Sequence, residues 1–287
     1  MDLEKLKRSN NLSMLTKEIL KVNQPTETVY EKDDPRFWQP EVDKAGNGMA
    51  IIRFLPAPEI DGGDEALPWV RRFNHAFQGP NGLWLMDNCL TTNAQKCPVC
   101  EHNSILWNSG IEANKEIVRK QKRKLTYIAN ILVISDPKNP VNEGQVRLYK
   151  FGKKIFDKIT EAMSPEFADE TPLNPFHFWE GANFKIKIRL VEGYRNYDKS
   201  EFDTPSPLSD DNEKIGKILK SEHSLKEFID AKHFKSYDAL KDRLTQVLGL
   251  NGVTQISGKA EDATLTSASS LGDDDDVDYF RSLAEQD

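Results

Sequence analysis

The alternation of apolar and polar positions along the chain predicts a series of short strands. Positions 49–55 follow the turn signal Ala45-Gly46-Asn47-Gly48 and read as the first of them. Two more are expected at 69–77 and 83–86, separated by the strong turn Gly79-Pro80-Asn81-Gly82. Positions 127–134 are nearly all apolar and rich in β-branched residues, which predicts a strand buried on both faces. Positions 146–151 give another. Phe184, Ile186, Ile188 and Leu190 alternate with Lys185, Lys187 and Arg189, so one face of that strand is apolar and the other cationic.

Helical spacing is confined to a few segments. Positions 153–163 carry Ile155, Phe156 and Ile159; positions 236–248 start at a capping Ser236 and repeat Leu240, Leu244, Val247 and Leu248. Near the start, Leu3, Leu6, Leu12, Leu15, Ile19 and Leu20 line part of a candidate helix with Lys5, Lys7 and Arg8 at its head. Pro25 ends it, and 24–40 reads as a linker. Several short strands with few helices predict a mainly β fold with some α, a small barrel or sandwich. Beyond Gly252 the sequence is rich in Ser, Thr, Ala and Asp and is expected to be disordered. No apolar run reaches membrane-spanning length and nothing resembles a signal peptide, so a soluble protein of a reducing compartment is expected, with no membrane partner.

Charge changes this picture by its distribution. The 287 residues carry a net charge of −7, and hydrophobic residues make up 38%. Positions 255–287 hold nine acids and two bases, so the remainder is neutral; within it, 115–199 has 17 bases against 11 acids. A basic centre joined to an acidic tail suggests a polyanionic ligand for the centre.

All three cysteines fall within twelve residues: Cys89, Cys97 and Cys100. Cys97-Pro98-Val99-Cys100 has the spacing that lets two thiolates grip one tetrahedral Zn²⁺. A histidine is expected as fourth ligand, with His75 and His102 both in reach along the sequence. Three cysteines and one histidine would fill every position of the ion and leave none for water, so the zinc is expected to be structural. A zinc deaminase would need H-x-E and P-C-x-x-C; His75-Ala76-Phe77 lacks the glutamate and Lys96 replaces the proline. No catalytic triad or phosphate loop is present either, and a non-enzyme is expected.

Bases and rings are interleaved in three places. Lys122, Arg123 and Lys124 lead into Tyr127; Arg147, Tyr149, Lys150, Lys153 and Lys154 form a second group; Tyr194, Arg195 and Tyr197 form a third. Single-stranded nucleic acid calls for this mixture, because cations track phosphates while flat rings stack on unpaired bases. The cationic face carrying Lys185 and Lys187 adds to the expected DNA-binding set.

These segments also carry a resemblance. The stretches Ala45-Gly46-Asn47-Gly48, Ile52-Arg53-Phe54-Leu55-Pro56, Cys97-Pro98-Val99-Cys100, Ala129-Asn130-Ile131-Leu132-Val133, Phe151-Gly152-Lys153-Lys154-Ile155, Trp179-Glu180-Gly181-Ala182-Asn183-Phe184 and Asn196-Tyr197-Asp198 make the chain similar to the single-stranded DNA-binding (helix-destabilising) proteins of T4-like bacteriophages. The resemblance implies an OB-fold core with a zinc-bearing subdomain, a flexible N-terminal arm and a disordered acidic C-terminal tail. It implies one structural Zn²⁺ held by His75, Cys89, Cys97 and Cys100, and a DNA cleft lined by Tyr127, Tyr149, Tyr194 and Tyr197. Residues 1–24 would be the arm that contacts neighbouring protomers through Lys5, Lys7 and Arg8. Residues 25–252 would be the core, and 253–287 the tail. Partners implied for the tail are replication, recombination and repair proteins, such as a polymerase or helicase loader, in the cytoplasm of an infected host cell. The competing expectation is a zinc-containing RNA-binding or translational regulator using the same lysines and rings.

Overall fold

The computed structural model describes residues 34–250 apart from Ala168; the expected N-terminal arm and acidic tail lie outside the described residues. The chain divides into two compact units at the Phe37–Trp38 boundary, and both sites discussed below belong to the second. A two-residue strand, β1 (Phe37–Trp38), sits at that boundary.

The spine of the fold is β5 (Lys124–Ser135), in which seven consecutive residues from Tyr127 to Val133 are buried. This is the strand expected to be covered on both faces, and its alternation sorts the residues into two layers. Tyr127, Ala129, Ile131 and Val133 enter the main core with Ala50, Ile52, Phe54, Phe184, Ile186 and Ile188. Leu132, with the opposite parity, packs with Leu55, Phe178, Ile215 and Ile218.

All pairings of β5 are antiparallel. Its first half pairs with β3 (Trp69–Gln78), from Asn74 opposite Lys124 to Trp69 opposite Ala129. Its second half pairs with β2 (Gly48–Phe54), starting at Phe54 opposite Ile131. The change of neighbour falls at Asn130. This buried amide is satisfied by the backbone of His223, donating to its carbonyl at 2.8 Å and accepting from its N–H at 3.0 Å. The other edge of β5 takes β6 (Val146–Phe151), from Tyr127 opposite Phe151 to Leu132 opposite Val146.

Beyond β2 lies β7 (Phe184–Val191), which also pairs with β8 (Tyr194–Asn196) and β9 (Glu201–Phe202). The alternation read from the sequence holds along most of β7, since Phe184, Ile186 and Ile188 are in the core; Leu190, however, is exposed.

A second core is built on the hairpin of β3 and β4 (Trp84–Asn88). Phe77, Leu85 and Leu90 pack there with the three cysteines, Val118, Leu240, Leu244 and Val247. The hairpin turn is fixed from outside. A Cβ on Gly79 would lie 2.0 Å from the Val247 carbonyl oxygen, so only glycine lets the two backbones meet. Asn81 Nδ2 donates to the Gln246 carbonyl at 2.8 Å in the same place.

Among the described residues, five α-helices accompany the strands: α1 (Pro98–Asn108), α2 (Glu112–Gln121), α3 (Lys153–Met163), α4 (Asn212–Lys220) and α5 (Tyr237–Leu248). α3 and α5 match the periodicity read from the sequence. α1, α2 and α4 were not anticipated there. In α2 only Ile117 and Val118 are strongly apolar, and Val118 alone is buried among the second core's residues. Its exposed face is held by Arg119 bonding Glu112 at 2.9 Å and also Glu116, with Lys115 3.8 Å from Glu112.

Just beyond α4, both carboxylate oxygens of Glu222 are buried without a hydrogen-bond partner. Burial, followed by the nearby Glu59 charge, pushes its pKa up to about 8. An unfolded glutamate titrates near about 4.3. Between those values the folded chain keeps a proton that the unfolded chain has lost. The stability due to this group is therefore present at low pH and is lost as pH rises through the folded pKa. Urea midpoints at pH 5 and pH 8 should show this loss, and Glu222→Gln should reduce it; an equal loss in both proteins would refute the assignment.

Candidate functional site

Three elements, β3, β4 and α1, bring the sulfur and imidazole groups together. His75 comes from the middle of β3, Cys89 immediately follows β4, Cys97 precedes the first turn of α1 and Cys100 lies within it. Pro98 at the start of α1 fits because its missing N–H is one the helix would leave unpaired anyway. All four residues are buried, and their ligand atoms lie within 4.8 Å of one another. His75 Nε2 is 3.6 Å from both Cys97 Sγ and Cys100 Sγ, and Cys89 Sγ is 3.5 Å from Cys100 Sγ. Tetrahedral Zn²⁺ with bonds of about 2.3 Å to sulfur and 2.0–2.1 Å to nitrogen would place its ligand atoms roughly 3.5–3.8 Å apart. The cysteines are free thiols, not a disulfide.

The tautomer of His75 is set from behind. Its Nδ1 lies 3.1 Å from the carbonyl of Gln121 at the end of α2, so an Nδ1–H donated there leaves the Nε2 lone pair facing the thiols. Asn103 Nδ2 donates to the same carbonyl at 3.2 Å. His102, the other histidine near the knuckle, is outside the converging group.

Hydrogen bonds from Cys100 and Cys97 pull the Cys89 thiol far down, while the same kind of contact with Cys89 and Cys97 pushes Cys100 far up. Burial lowers the pKa of His75, but contacts with Cys89 and Cys97 more than reverse this and raise it to about 10. Three thiols buried this close together cannot all carry a charge unless a cation joins them. This donor set fits one metal ion with no position left for water or substrate.

The other candidate residues scatter more widely. Tyr127 belongs to the main core: its ring is stacked on Phe156 with centroids 3.9 Å apart, and on Phe151 at 5.7 Å. The expectation that it offers a face to a base is therefore corrected, because neighbouring rings already cover it. Its parity with Ile131 and Val133 on β5 is the reason. Tyr149 is 2% exposed and packs near Trp38 and Phe151. Tyr197 is half-buried, whereas Tyr194 is 79% exposed.

Arg123 donates to Thr91 Oγ1 at 2.6 Å and lies 4.3 Å over the Phe73 ring, which ties it to the second core. Lys122 beside it is half-buried and Lys124 is exposed; Arg147 is half-buried and bonds Gln145 at 2.5 Å. Lys185 and Lys187, expected on a cationic face, pair with Asp203 and Glu201 at 2.7 Å each. Arg189 completes this ladder at 2.5 Å from Asp198. Hydrogen bonds from the three bases hold all three acids below the usual carboxylate range. That face is thus already neutralised within the chain. Lys5, Lys7 and Arg8 lie outside the described residues.

One group does converge. Tyr149, Lys150, Lys153, Lys154, Arg195 and Tyr197 line a cavity of about 480 Å³ between β6, the start of α3 and the segment after β8. It joins the second and third of the base-and-ring segments found in the sequence.

The model of the family described as "gp32 DNA binding protein like" matches residues 46–248 of the chain. The chain belongs to this family. The matched stretch contains the four-residue cluster and all of the cavity's lining except Gln39. Among gp32-like relatives, the chain is 38% identical over 268 residues to proteins of Enterobacteria phages T2 and T4, each named "Single-stranded DNA-binding protein". These alignments take in 90% of this chain and 84% and 85% of the two relatives. A protein of the same name from Enterobacteria phage RB70 is 38% identical over 102 residues, 34% of this chain and 80% of that relative.

One feature of this gp32-like chain was missed in the sequence. Trp107, on α1, is flanked by Lys115 Nζ at 5.4 Å and Arg119 Cζ at 5.9 Å from its ring centroid. The bases come from α2, and neither helix was anticipated, so no spacing rule joined them.

Proposed function

We propose that this chain binds single-stranded DNA without sequence preference and is not an enzyme. The observation that carries the reading is the 38% identity, across 90% of the chain, with the phage T2 and T4 proteins of that name. The cavity supplies the physical support, since it sets lysines and an arginine beside two phenol rings. Tyr194 and Tyr197 are the rings proposed to meet bases, with Lys150, Lys154 and Arg195 following the phosphates.

The cluster of His75, Cys89, Cys97 and Cys100 is proposed to hold one structural Zn²⁺, on the strength of its sulfur-rich donor set and closed geometry. Strands β2, β3, β5, β6 and β7 suit the five-stranded core of an OB-fold. Residues 1–24 are proposed as the arm for neighbouring protomers, 25–252 as the DNA-binding core, and 253–287 as the tail that recruits replication, recombination and repair proteins in the infected host's cytoplasm. The RNA-regulator alternative is not favoured, because the relatives are named for DNA. No helix among the described residues is long and apolar enough to cross a membrane.

Affinity measured against salt tests the reading. If roughly five phosphates are neutralised, log K for oligo-dT should fall with log salt at a slope near −3.5. Duplex of the same length should bind far more weakly, because its base faces are hidden. Equal affinity for duplex, or a slope near zero, would refute the proposal.

A further inference from the structure

The cavity has more internal design than a basic groove requires. It opens at the amino terminus of α3, an eleven-residue helix whose N-cap is Gly152 and which has no side-chain cap. The first bonds of this helix run from the N–H groups of Ile155 and Phe156 to the Gly152 carbonyl at 3.2 and 3.3 Å. Earlier amides in a helix have no intrahelical acceptor, and the aligned peptide dipoles favour an anion beside them. A Cβ placed on Gly152 would meet nothing within 4 Å, so the approach is open.

Tyr149 is an independent second feature. It is 98% removed from solvent, yet it lines the cavity; among the described residues its hydroxyl has no hydrogen-bond partner, and the hydroxyl is not one of the fully buried unpaired atoms, so it keeps contact with the cavity. A hydroxyl so placed bonds water, which a ligand oxygen can replace. Burial and then the neighbouring Tyr197 phenol hold its pKa well above the ordinary tyrosine value. The group therefore stays protonated and able to donate at neutral pH. Lys154 and Arg195 complete the rim, and neither forms an ion pair or side-chain hydrogen bond among the described residues. The one acid among the described lining residues, Asp157, is held by Lys153 at 3.1 Å.

We propose that this end of the cavity is a built phosphate subsite, in which one phosphodiester of a bound strand accepts hydrogen bonds from the first-turn amides of α3 and from the Tyr149 hydroxyl, between Lys154 and Arg195. The inference rests on the single-stranded DNA reading and deepens it. Elsewhere along the groove the strand would be held by mobile side chains. Here it meets fixed donors, which would set the register of the backbone without reading a base.

The test uses the full-length, ¹⁵N-labelled protein titrated with inorganic phosphate, with sodium chloride at matched ionic strength as the control. Amide resonances of Lys153, Lys154 and Ile155 should shift saturably with phosphate and not with chloride. Tyr149→Phe should weaken phosphate binding about tenfold or more, the value of one hydrogen bond to a charged acceptor. Because the hydroxyl has no protein partner to lose, the thermal midpoint should not fall. In parallel oligo-dT titrations Tyr149→Phe should lower affinity at an unchanged salt slope, whereas Lys154→Gln should make the slope shallower by about 0.7. Absence of a saturable shift at those amides, or Tyr149→Phe indistinguishable from wild type, overturns the subsite. Oligo-dT binding without the amide shifts would overturn the subsite and leave the DNA reading standing. Amide shifts without oligo-dT binding would do the reverse.

Discussion

Replacing Cys100 with Ser is expected to release one zinc ion per chain and to destabilise the second core as a unit. Cys89, Cys97 and Cys100 are not attached to the edge of that core; they are part of it, packed with Phe77, Leu85, Val118, Leu240 and Leu244. Without the ion, buried thiols and an imidazole face one another at 3.5–3.6 Å with no cation to balance them. Structural zinc in small finger domains contributes about 10–16 kcal/mol of binding free energy, which is folding free energy there. Here the apolar neighbours retain part of the lobe's stability, so a loss of several kcal/mol is the expected scale. That corresponds to a fall in Tm on the order of 10 °C. Elemental analysis and thermal unfolding of protein purified without chelators check both halves. A wild-type protein with no zinc, or a Cys100→Ser protein with unchanged metal and Tm, would defeat the structural-zinc assignment.

The second large effect separates two tyrosines that look alike in sequence. Tyr127→Ala removes a ring that is 7% exposed and stacked on Phe156, so it should cost about 3–5 kcal/mol of stability through the cavity left behind. Tyr194→Ala removes a ring that is 79% exposed, so stability should change by less than about 0.5 kcal/mol. If Tyr194 stacks on a base, its loss should instead cost about 1–3 kcal/mol of oligo-dT affinity. Urea unfolding and fluorescence titration of both variants give the four numbers. Normal stability in Tyr127→Ala would show that the ring is not a core residue. Normal affinity in Tyr194→Ala would remove it from the interface.

How much of this was legible in the sequence varied with the kind of signal. The strict alternation from Phe184 to Ile188 and the apolar run through Ile131 gave strands in the right places, because a period of two leaves a direct mark on the residue order. The Cys97-Pro98-Val99-Cys100 knuckle was legible because one ion constrains two ligands that are close along the chain. Choosing His75 over His102 needed the fold, or the family resemblance, because β3 carries His75 to the knuckle from 22 residues away. The helix containing Lys115 and Arg119 was not seen, since most of its stabilising face is ionic and apolar periodicity is silent there. The burial of Tyr127 could have been inferred: it shares parity with Ala129, Ile131 and Val133. What hid it was the mixed character of tyrosine, which suits a core and a wet interface equally. The neutralised face of β7 was invisible for another reason. Asp198, Glu201 and Asp203 return to it only through the β8 and β9 pairings, and those strands are too short to announce themselves.

The double pairing of β5 ties the two sites into one thermodynamic cycle. Tyr127, Ile128 and Ala129 are paired at the same time with Arg71, Val70 and Trp69 on β3 and with Phe151, Lys150 and Tyr149 on β6. The strand that bears His75 of the proposed metal cluster and the strand that bears the cavity's Tyr149 and Lys150 are thus separated by a single shared strand. Linkage across so short a path is reciprocal. Whatever factor a bound metal contributes to the affinity for a single strand, the strand must return as tighter equilibrium retention of the metal. A nucleic-acid-coated chain would then resist chelators better than a bare one by that same equilibrium factor.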